Sequence, residues 1–237
     1  MRDQIFSQAN DLVDFTFDAN VANVFDDMVR RSVPGYQSMI EMIGLCVKTY
    51  GQDHTNYYDL GTSTGATAVA IGVNNTHQNT QIIAVDNSPS MVDKCTKTLN
   101  NKVDYAQVIC ADIETLEIEN ASLIVLNLTL QFIAPDNRQA LIDKIYQGLN
   151  KGGALIISEK IHFNDPQKQQ QMTKLHLEFK RANGYSELEI AAKRQSIENV
   201  LITDNQETHL ERLQLAGFST QACHFQCLNF ACFLAVK

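Results

Sequence analysis

The chain has 237 residues, 44% hydrophobic and 19% charged, which is typical of a globular protein. Its formal charge of −8 disfavours direct nucleic-acid binding, which needs a basic stripe, and no apolar run approaches the ~20 residues that span a bilayer. The polar N-terminal residues do not resemble a signal peptide, and the six cysteines form no Cys-x-x-Cys pair, so we expect a cytoplasmic protein with reduced thiols, no metal site and no membrane contact.

The first 50 residues precede the first predicted strand and have helical periodicity after Asp18. Their apolar stripe consists of Val21, Val24, Phe25 and Met28. Residues 56–60 are a predicted short strand that leads into a glycine-containing loop, and the small residues from Ala66 to Gly72 begin a helix. We therefore expect an N-terminal helical cap, residues 1–50, followed by a strand–loop–helix unit.

Strands and helices then alternate along the chain. Four further strands are predicted at 81–86, 105–110, 121–128 and 154–158. Ser88 caps a helix with Pro89 in its first turn. An amphipathic helix is predicted from Pro135 to Asn150, ended by the glycine pair 152–153. Alternation at this interval predicts βαβ units and a parallel sheet.

Two later segments depart from the alternation. Residues 164–200 form a second helical block, in which Ser186 begins a capping-box pattern, and we expect this block to be a lid over the sheet. A last helix from about Asp204 stops at Gly217, and two β-rich runs at 219–227 and 230–236 predict an antiparallel pair. The prediction is a single domain, residues 1–237, with a mostly parallel seven-stranded sheet, a terminal antiparallel hairpin and helical lid insertions.

The loop after the first strand, residues 59–65, reads Asp-Leu-Gly-Thr-Ser-Thr-Gly. A dinucleotide site would favour Gly-x-Gly-x-x-Gly, with a pyrophosphate on the helix N-terminus. Here Ser63 replaces the middle glycine, and Asp59 would repel a phosphate but suits the amino group of a methionine moiety. The loop is similar to the first motif of Rossmann-like S-adenosylmethionine enzymes, although a tight turn without a ligand is the alternative for the loop taken alone.

Polar residues follow the next strands at matching positions. Asp86 ends the second strand 21 residues after Gly65, where an acid would bind ribose hydroxyls, and Asn87 follows it. Capping of the next helix is the alternative role for Asp86. Asp112 and Ile113 are placed to bracket an adenine ring, and Asn127 lies where cofactor would meet substrate. Polar side chains at successive strand ends predict one ligand site.

Ten stretches spread over nearly the whole chain carry a closer resemblance to a known family. They are Val29–Tyr36, Asp86–Pro89, Ile118–Ser122, Asn127–Phe132, Lys144–Asn150, Ser158–Lys160, Phe179–Glu189, Lys193–Arg194, Glu198–Val200 and Phe225–Phe230. Together they resemble the carboxy-S-adenosyl-L-methionine synthase family. The resemblance includes the helical insert, and it implies the Rossmann-like S-adenosylmethionine-dependent methyltransferase fold. It also implies conversion of S-adenosylmethionine and prephenate to carboxy-S-adenosylmethionine and phenylpyruvate.

The resemblance implies site residues and partners as well. The cofactor-binding positions would be Tyr36, Gly61, Thr62, Ser63, Asp86, Asn87, Asp112, Ile113, Asn127 and Arg194. Arg194 would be the catalytic residue, facing the transferred carboxylate. The family is typically a homodimer whose product, which can co-purify, passes to a tRNA carboxymethyltransferase that makes wobble-position 5-oxyacetyluridine.

The chemistry asks little acid–base work of the protein. A sulfonium acidifies its methyl protons, and prephenate, as it aromatises, could supply both the carbon dioxide and the basic hydroxide. The protein's tasks are then orientation, exclusion of water and a cation for the carboxylates, for which a guanidinium is well suited. A solvated surface arginine is the alternative for Arg194 when its spacing is considered alone.

The chain departs from the family pattern at three places. Thr62 replaces a common Cys, Thr67 replaces a common Ala, and Phe15 stands near a position that is usually Trp. Thr is nearly isosteric with Cys and the loop uses backbone groups there, so the cofactor assignment is unaffected. Two other functions remain open at this stage: an ordinary small-molecule methyltransferase that uses the same cofactor, and a non-catalytic binding module.

Overall fold

The computed structural model describes residues 2–6, 15–100 and 102–237, so residues 7–14 of the predicted N-terminal cap lie outside the described part. Within that part, seven strands form one sheet in the order β3-β2-β1-β4-β5-β7-β6. The strands are β1 (Asn56–Leu60), β2 (Gln81–Asp86), β3 (Ala106–Cys110), β4 (Ala121–Asn127), β5 (Leu149–Lys160), β6 (Thr220–Cys227) and β7 (Phe230–Val236). The strands β1 to β5 pair in parallel, and β7 is antiparallel to both β5 and β6, as predicted.

Eight α-helices lie in the described residues, and the fifth is the one whose predicted ends are wrong. They are α1 (Ala19–Ser32), α2 (Tyr36–Tyr50), α3 (Ala66–Asn74), α4 (Pro89–Leu99), α5 (Arg138–Gly148), α6 (Pro166–Ala182), α7 (Glu187–Ile197) and α8 (Gln206–Ala216). Local sequence explains these ends. The Asp18 side chain accepts a hydrogen bond from the Val21 amide, Ser186 forms a complete capping box, and Gly217 ends α8 in the left-handed conformation. Among the described residues, no helix is both long and apolar enough to cross a membrane.

Both faces of the sheet are buried, because successive side chains of a strand point to opposite faces. Tyr58 and Ile124 pack on one face in a cluster with α5 and α8, whereas the neighbouring Tyr57 and Leu123 pack on the other face with α2, α3 and α4. Each face therefore needs its own helical layer. The strand order reverses between β1 and β4, which opens a crevice at the carboxyl ends of these strands.

The predicted helix from Pro135 to Asn150 is wrong at both ends. Residues Pro135–Asn137 form a 3-10 turn, α5 runs only from Arg138 to Gly148, and the glycine pair 152–153 lies inside β5. Gly152 donates its amide to the Lys237 carbonyl at 2.9 Å, and the Lys237 amide donates to the Gly153 carbonyl at 3.0 Å. Pairing with the C-terminal residue therefore extends the strand backwards through the glycines.

The helices α6 and α7 are inserted between β5 and α8 and lie over the carboxyl ends of the strands. The segment before α1 reaches the same region, because the Phe15 amide donates to the Ser196 carbonyl at 2.9 Å and the Ser88 hydroxyl donates to the Phe17 carbonyl at 2.5 Å. Both helical parts of the chain that interrupt the strand–helix alternation thus meet above the crevice.

Candidate active site

A cavity of about 500 Å³ occupies the crevice at the carboxyl ends of the strands. Ten of the eleven predicted site residues line it: Tyr36, Gly61, Thr62, Ser63, Asp86, Asn87, Asp112, Ile113, Asn127 and Arg194. The eleventh, Asp59, is buried and is not among the lining residues in the described part of the chain. Residues that are 158 positions apart in the sequence, from Tyr36 to Arg194, therefore face one space large enough for a drug-sized ligand.

The loop between β1 and α3 holds its backbone in a shape that side chains rarely permit. Gly61 and Gly65 have φ values of 80° and 90°, and Ser63 also lies in the left-handed region at 52°. The Gly61 and Thr62 amides both donate to the Val85 carbonyl, at 2.8 and 2.9 Å, which ties the loop to the end of β2. A Cβ on Gly61 would come within 2.4 Å of Thr129 Oγ1. The glycine is therefore needed for close approach as well as for its conformation.

Asp59 lies beneath this loop. Its carboxylate accepts a hydrogen bond from the Thr62 hydroxyl at 2.7 Å. Burial raises the pKa of Asp59 to about 7, although hydrogen bonds from Thr62 and the Ala68 amide oppose the shift. The Thr62 hydroxyl is therefore engaged by Asp59, while Thr62 is one of the cavity-lining residues. The assignment of Asp59 to a methionine amino group stays a prediction.

Asp86 joins the first two strand ends. Its Oδ2 accepts from the Ser63 amide and its Oδ1 from the Ser88 amide, both at 2.9 Å. Burial raises the pKa of the Asp86 carboxyl, and these two amide hydrogen bonds offset part of the shift. The helix α4 is instead capped by the Ser88 hydroxyl, which accepts from the Met91 amide. Each carboxylate oxygen keeps lone-pair capacity for a hydroxyl group in the cavity.

The turn after β3 carries the next two predicted residues. Asp112 is exposed and accepts from the Glu114 amide at 2.8 Å, whereas Ile113 is buried. The Lys144 ammonium donates to the carbonyls of Ile113 and Glu114, at 2.7 and 2.8 Å. An acid and an apolar side chain are therefore held side by side on the cavity wall, an arrangement that can bracket a flat heterocycle.

At the end of β4, Asn127 points its side chain towards α3. The Asn127 amide donates to Thr67 Oγ1 at 3.1 Å, so the second residue that departs from the family pattern orients this side chain. Its Oδ1 is buried and has no hydrogen-bond partner among the described residues. Because buried acceptors are nearly always paired, this atom is one that a bound ligand would satisfy. The next residue, Leu128, has φ 59° and also lines the cavity.

Tyr36 closes the cavity from the N-terminal side. It is the first residue of α2, preceded by Gly35, whose φ is 76°. A Cβ on Gly35 would approach Phe225 Cζ at 2.8 Å, so the glycine allows this close packing. Burial raises the pKa of Tyr36, and the Asp26 and Asp59 carboxylates raise it further, so its hydroxyl stays protonated and available as a donor.

The lid supplies the rest of the wall, and most of its contribution was not predicted. Five residues of α6 line the cavity at helical spacing: Gln169, Thr173, His176, Leu177 and Lys180. Arg194 is exposed on α7 and lines the cavity beside Lys193. The five α6 residues are spaced as i, i+4, i+7, i+8 and i+11, and only this spacing could have indicated that they share one face of the helix. Because the face mixes polar and apolar side chains, a hydrophobicity pattern does not detect it.

The N-terminal segment also contributes side chains that were not predicted as site residues. Phe15 and Phe17 line the cavity, and their rings pack edge to face at 5.2 Å. Phe17 makes a second edge-to-face contact with Phe132 at 5.2 Å. These aromatic contacts exclude water from the wall where Ser88 holds the segment. The Phe15 position thus bears on the cavity as well as on local packing.

His176 forms part of the cavity wall without free acid–base capacity. Its Nε2 contacts the Ser32 carbonyl at 2.8 Å, and burial lowers the pKa of His176 to about 3, helped by the nearby Lys180 ammonium. The ring is therefore neutral at pH 7 and one nitrogen is engaged. The described residues also contain no group of three His, Cys, Asp or Glu side chains placed to share a metal ion.

The site suits S-adenosylmethionine on its own geometry. Asp86 keeps acceptor capacity for hydroxyl groups, Asp112 and Ile113 line the cavity side by side, and the Asn127 Oδ1 has no partner within the described residues. Arg194 and other lid residues line the same cavity. This arrangement can bind a cationic nucleoside at the strand ends together with an anionic partner near the lid, and so hold two reactants in one space.

The chain is similar to known proteins over its full length. A family model described as a methyltransferase domain matches residues 58–153. The carboxy-S-adenosyl-L-methionine synthase of Ruthia magnifica subsp. Calyptogena magnifica is 71% identical over 237 residues, which cover 100% of both chains. That of Enterobacter sp. (strain 638) is 52% identical over 239 residues, which cover 100% of this chain and 97% of the relative.

Solved structures share the fold at low identity. A putative S-adenosyl-L-methionine-dependent methyltransferase from Methanococcus maripaludis aligns with a TM-score of 0.61 at 20% identity, covering 97% of this chain and 96% of the other. Human N-acetylserotonin methyltransferase in complex with SAM aligns with a TM-score of 0.63 at 14% identity, covering 92% of this chain and 55% of that longer one. These alignments confirm the predicted fold class.

Proposed function

The chain belongs to the carboxy-S-adenosyl-L-methionine synthase family, and from this membership we propose that its substrates are S-adenosylmethionine and prephenate. The products are carboxy-S-adenosylmethionine, phenylpyruvate and water. The observation that carries the proposal is the polarity of the cavity. Polar acceptors at the strand ends line the cavity, and so do four cationic side chains, Lys180, Lys193 and Arg194 on the lid and Lys160 at the end of β5.

The reaction balances without a base from the protein. Prephenate loses carbon dioxide and hydroxide as its ring aromatises, the hydroxide takes a proton from the S-methyl group, and that carbon bonds to the carbon dioxide. The chain's own residues bind and orient. His176, which is neutral and engaged, and Tyr36, whose hydroxyl stays protonated, fit a site that needs no strong base.

Arg194 is the proposed catalytic residue, because it would contact the carboxylate that is transferred. A guanidinium stays charged when water is excluded and can donate two parallel hydrogen bonds to a carboxylate. Among the described residues Arg194 makes no ion pair, so its donors are free for substrate. The proposed cofactor-binding residues are the other lining residues predicted from sequence, together with Asp59 beneath the loop.

Mass spectrometry after incubation with S-adenosylmethionine and prephenate tests this function. The expected product is S-adenosylmethionine heavier by one carbon dioxide, formed only when prephenate is present. Arg194→Ala should lower its yield by at least about tenfold, since a charge-assisted contact is lost. Gln195→Ala, which alters the exposed neighbour on the same helix, is the matched control and should keep full activity. S-adenosylhomocysteine and a methylated acceptor would instead indicate an ordinary methyltransferase.

We further propose that the product passes to a separate tRNA carboxymethyltransferase that builds 5-oxyacetyluridine at the wobble position. The formal charge of −8 supports a role without direct RNA binding. In a gel-shift titration at physiological salt, this chain should leave purified tRNA unshifted. Wobble-modified tRNA should form when the partner enzyme is supplied with this chain's product.

A cytoplasmic homodimer is the proposed working form. The six cysteines are all free, which suits a reducing compartment. Light scattering coupled to gel filtration should give twice the mass of one 26.5 kDa chain. A mass of one chain at micromolar concentration, with full activity, would contradict the dimer.

A further inference from the structure

Four cationic side chains gather on one wall of the cavity. Lys160 ends β5, Lys180 lies in the last turn of α6, and Lys193 and Arg194 are consecutive on α7. All four line the same space. Their convergence comes from three separate elements, so it is a product of the fold and not of a local run of basic residues.

Two of these lysines have ammonium groups for which the described residues supply no polar partner. Lys193 donates from Nζ to the Ser32 hydroxyl at 2.9 Å and faces the Tyr185 ring at 5.4 Å. In contrast, the ammonium groups of Lys160 and Lys180 make no hydrogen bond or ion pair within the described part of the chain, although both side chains are partly buried. Charged groups that are removed from water ordinarily have a counter-ion. Two ammonium groups without one at the wall of a cavity therefore indicate a binding site for an anion.

The electrostatics of the wall agree with this geometry. Burial lowers the pKa of Lys160, and the Arg194 guanidinium lowers it further. Burial also lowers the pKa of Lys180, to about 8, and there the cations Lys160 and Arg194 both contribute. No acidic side chain opposes these shifts on either lysine. The three groups repel one another, and an anion bound between them would remove that repulsion.

Apolar side chains flank the cations. Leu177 on α6, Ile190 and Ile197 on α7, and Phe230 at the start of β7 line the same cavity. Such a wall suits an anion carried on a six-membered carbon ring better than it suits a small inorganic anion. The combination of a ring-sized apolar wall and several cations fits a cyclic dicarboxylate.

We propose that Lys160 and Lys180 are specificity-determining residues that bind the second carboxylate of the substrate, the one that remains in the ketoacid product. Arg194 then faces the carboxylate that is lost. This inference rests on the proposed function and extends it, because it explains why a dianion would be preferred to a monocarboxylate. The lysines act in binding and orientation, and no proton leaves them in the reaction.

Calorimetric titration of prephenate into protein saturated with S-adenosylhomocysteine tests the inference without turnover. We expect Lys160→Met and Lys180→Met each to weaken prephenate binding by at least about tenfold, as loss of a hydrogen bond to a charged group does. Phenylpyruvate keeps the carboxylate assigned to the lysines and lacks the one that faces Arg194, so its affinity should start lower and fall by a similar factor. Lys180→Arg should restore most of the lost affinity, because it keeps the charge.

Two matched controls share the elements of the tested lysines. Lys151→Met changes an exposed lysine on β5, and Lys174→Met changes an exposed lysine on α6, and neither lines the cavity. Both should bind prephenate like the wild type. Affinity for S-adenosylmethionine should stay unchanged in all four variants. If Lys160→Met and Lys180→Met weaken S-adenosylmethionine binding instead, the lysines serve the methionine carboxylate and the inference is overturned.

The outcomes for this inference and for the proposed function can be told apart. Conversion of prephenate by the wild type, with unaltered prephenate binding in the two lysine variants, would overturn the inference and keep the function. Lysine-dependent binding of prephenate without any carboxylated product would support the subsite and contradict the function. A wild type that neither binds nor converts prephenate would overturn both.

Discussion

Asp204→Asn should destabilise the fold, because Asp204 neutralises a fully buried arginine. The Arg138 side chain is 1% exposed and donates from Nη1 to Asp204 Oδ2 at 2.7 Å. The same oxygen accepts from Arg212 Nη2 at 3.0 Å. Arg138 also donates to the carbonyls of Ile133 and Ile202, at 3.0 and 2.8 Å. The arginine thus ties the wall near β4 to the segment that follows the lid, and Asp204 compensates its charge.

The size of the effect follows from burial. Breaking a buried ion pair on one side costs about 3–5 kcal/mol, since the remaining charge is left uncompensated. The Asp204 side chain is 17% exposed and an asparagine oxygen can still accept a hydrogen bond, so we expect a loss of about 3 kcal/mol near the lower end of this range. For a chain of this size the melting temperature should fall by about 6–12 °C.

Urea denaturation followed by circular dichroism measures this loss, with Glu187→Gln as the control. Glu187 pairs with Arg181 on the surface, where its side chain is 71% exposed, so the control should leave the denaturation midpoint nearly unchanged. A free energy of unfolding for Asp204→Asn within about 1 kcal/mol of the wild type would refute the reasoning, because a buried unpaired guanidinium costs more than that.

The pH dependence gives an independent check. The neighbouring guanidinium groups hold the pKa of Asp204 below its ordinary value of 3.8, against the effect of burial. Its stabilising contribution is therefore complete above the pKa of the unfolded chain and is lost as pH falls through the lower folded pKa. The difference in stability between wild type and variant should begin to shrink as pH falls below about 4 and continue to shrink towards the lower folded pKa. A constant difference down to pH 2 would contradict this assignment.

Three further outcomes are expected at the site. Asp86→Asn should weaken S-adenosylmethionine binding by at least about tenfold in calorimetry. A charged acceptor is lost, and the asparagine side chain has only one acceptor oxygen for the two amides, of Ser63 and Ser88, that now donate to the carboxylate. Unchanged affinity would contradict ribose binding by Asp86. Gly61→Ala should abolish cofactor binding, because the new Cβ would lie 2.4 Å from Thr129 Oγ1 and displace the loop. Circular dichroism should show that the variant stays folded, and wild-type affinity would contradict the need for glycine. Prephenate affinity should fall as pH rises through about 8, where Lys180 loses its proton, and a flat profile from pH 6 to 9 would contradict its role.

Local sequence was sufficient for the elements that carry their own signals. Ser186 and Glu189 form both hydrogen bonds of the predicted capping box, and Gly217 ends α8 where predicted. The strand β2 occupies exactly the predicted residues, 81–86. Caps, left-handed glycines and short apolar runs act over a few residues, so one sequence window contains their physical cause.

Contacts with residues distant in sequence determine where α5 ends, which was predicted wrongly. Lys237 donates from Nζ to the carbonyls of Tyr146, Gln147 and Leu149, at 2.6, 3.2 and 2.7 Å, and so satisfies the end of α5 in place of a glycine motif. A Cβ on Gly148 would come within 2.5 Å of Ile118, which marks a close approach that only the folded chain creates. No local pattern around residue 150 contains this information.

The sequence by itself determined the part of the site that lies at the strand ends. Residues at successive strand ends converge in any parallel sheet of this kind, so Asp86, Asp112 and Asn127 could be placed together from their spacing alone. Only the tertiary structure decided which cationic side chains meet at the cavity. Lys160 and Lys180 stand on different elements, 20 residues apart, and neither was predicted as a site residue although both lie in stretches that resemble the family. They became a pair because the fold brings the end of β5 and the last turn of α6 to one cavity, where the described residues supply neither charge with a counter-ion. Spacing along the chain does not encode this relation.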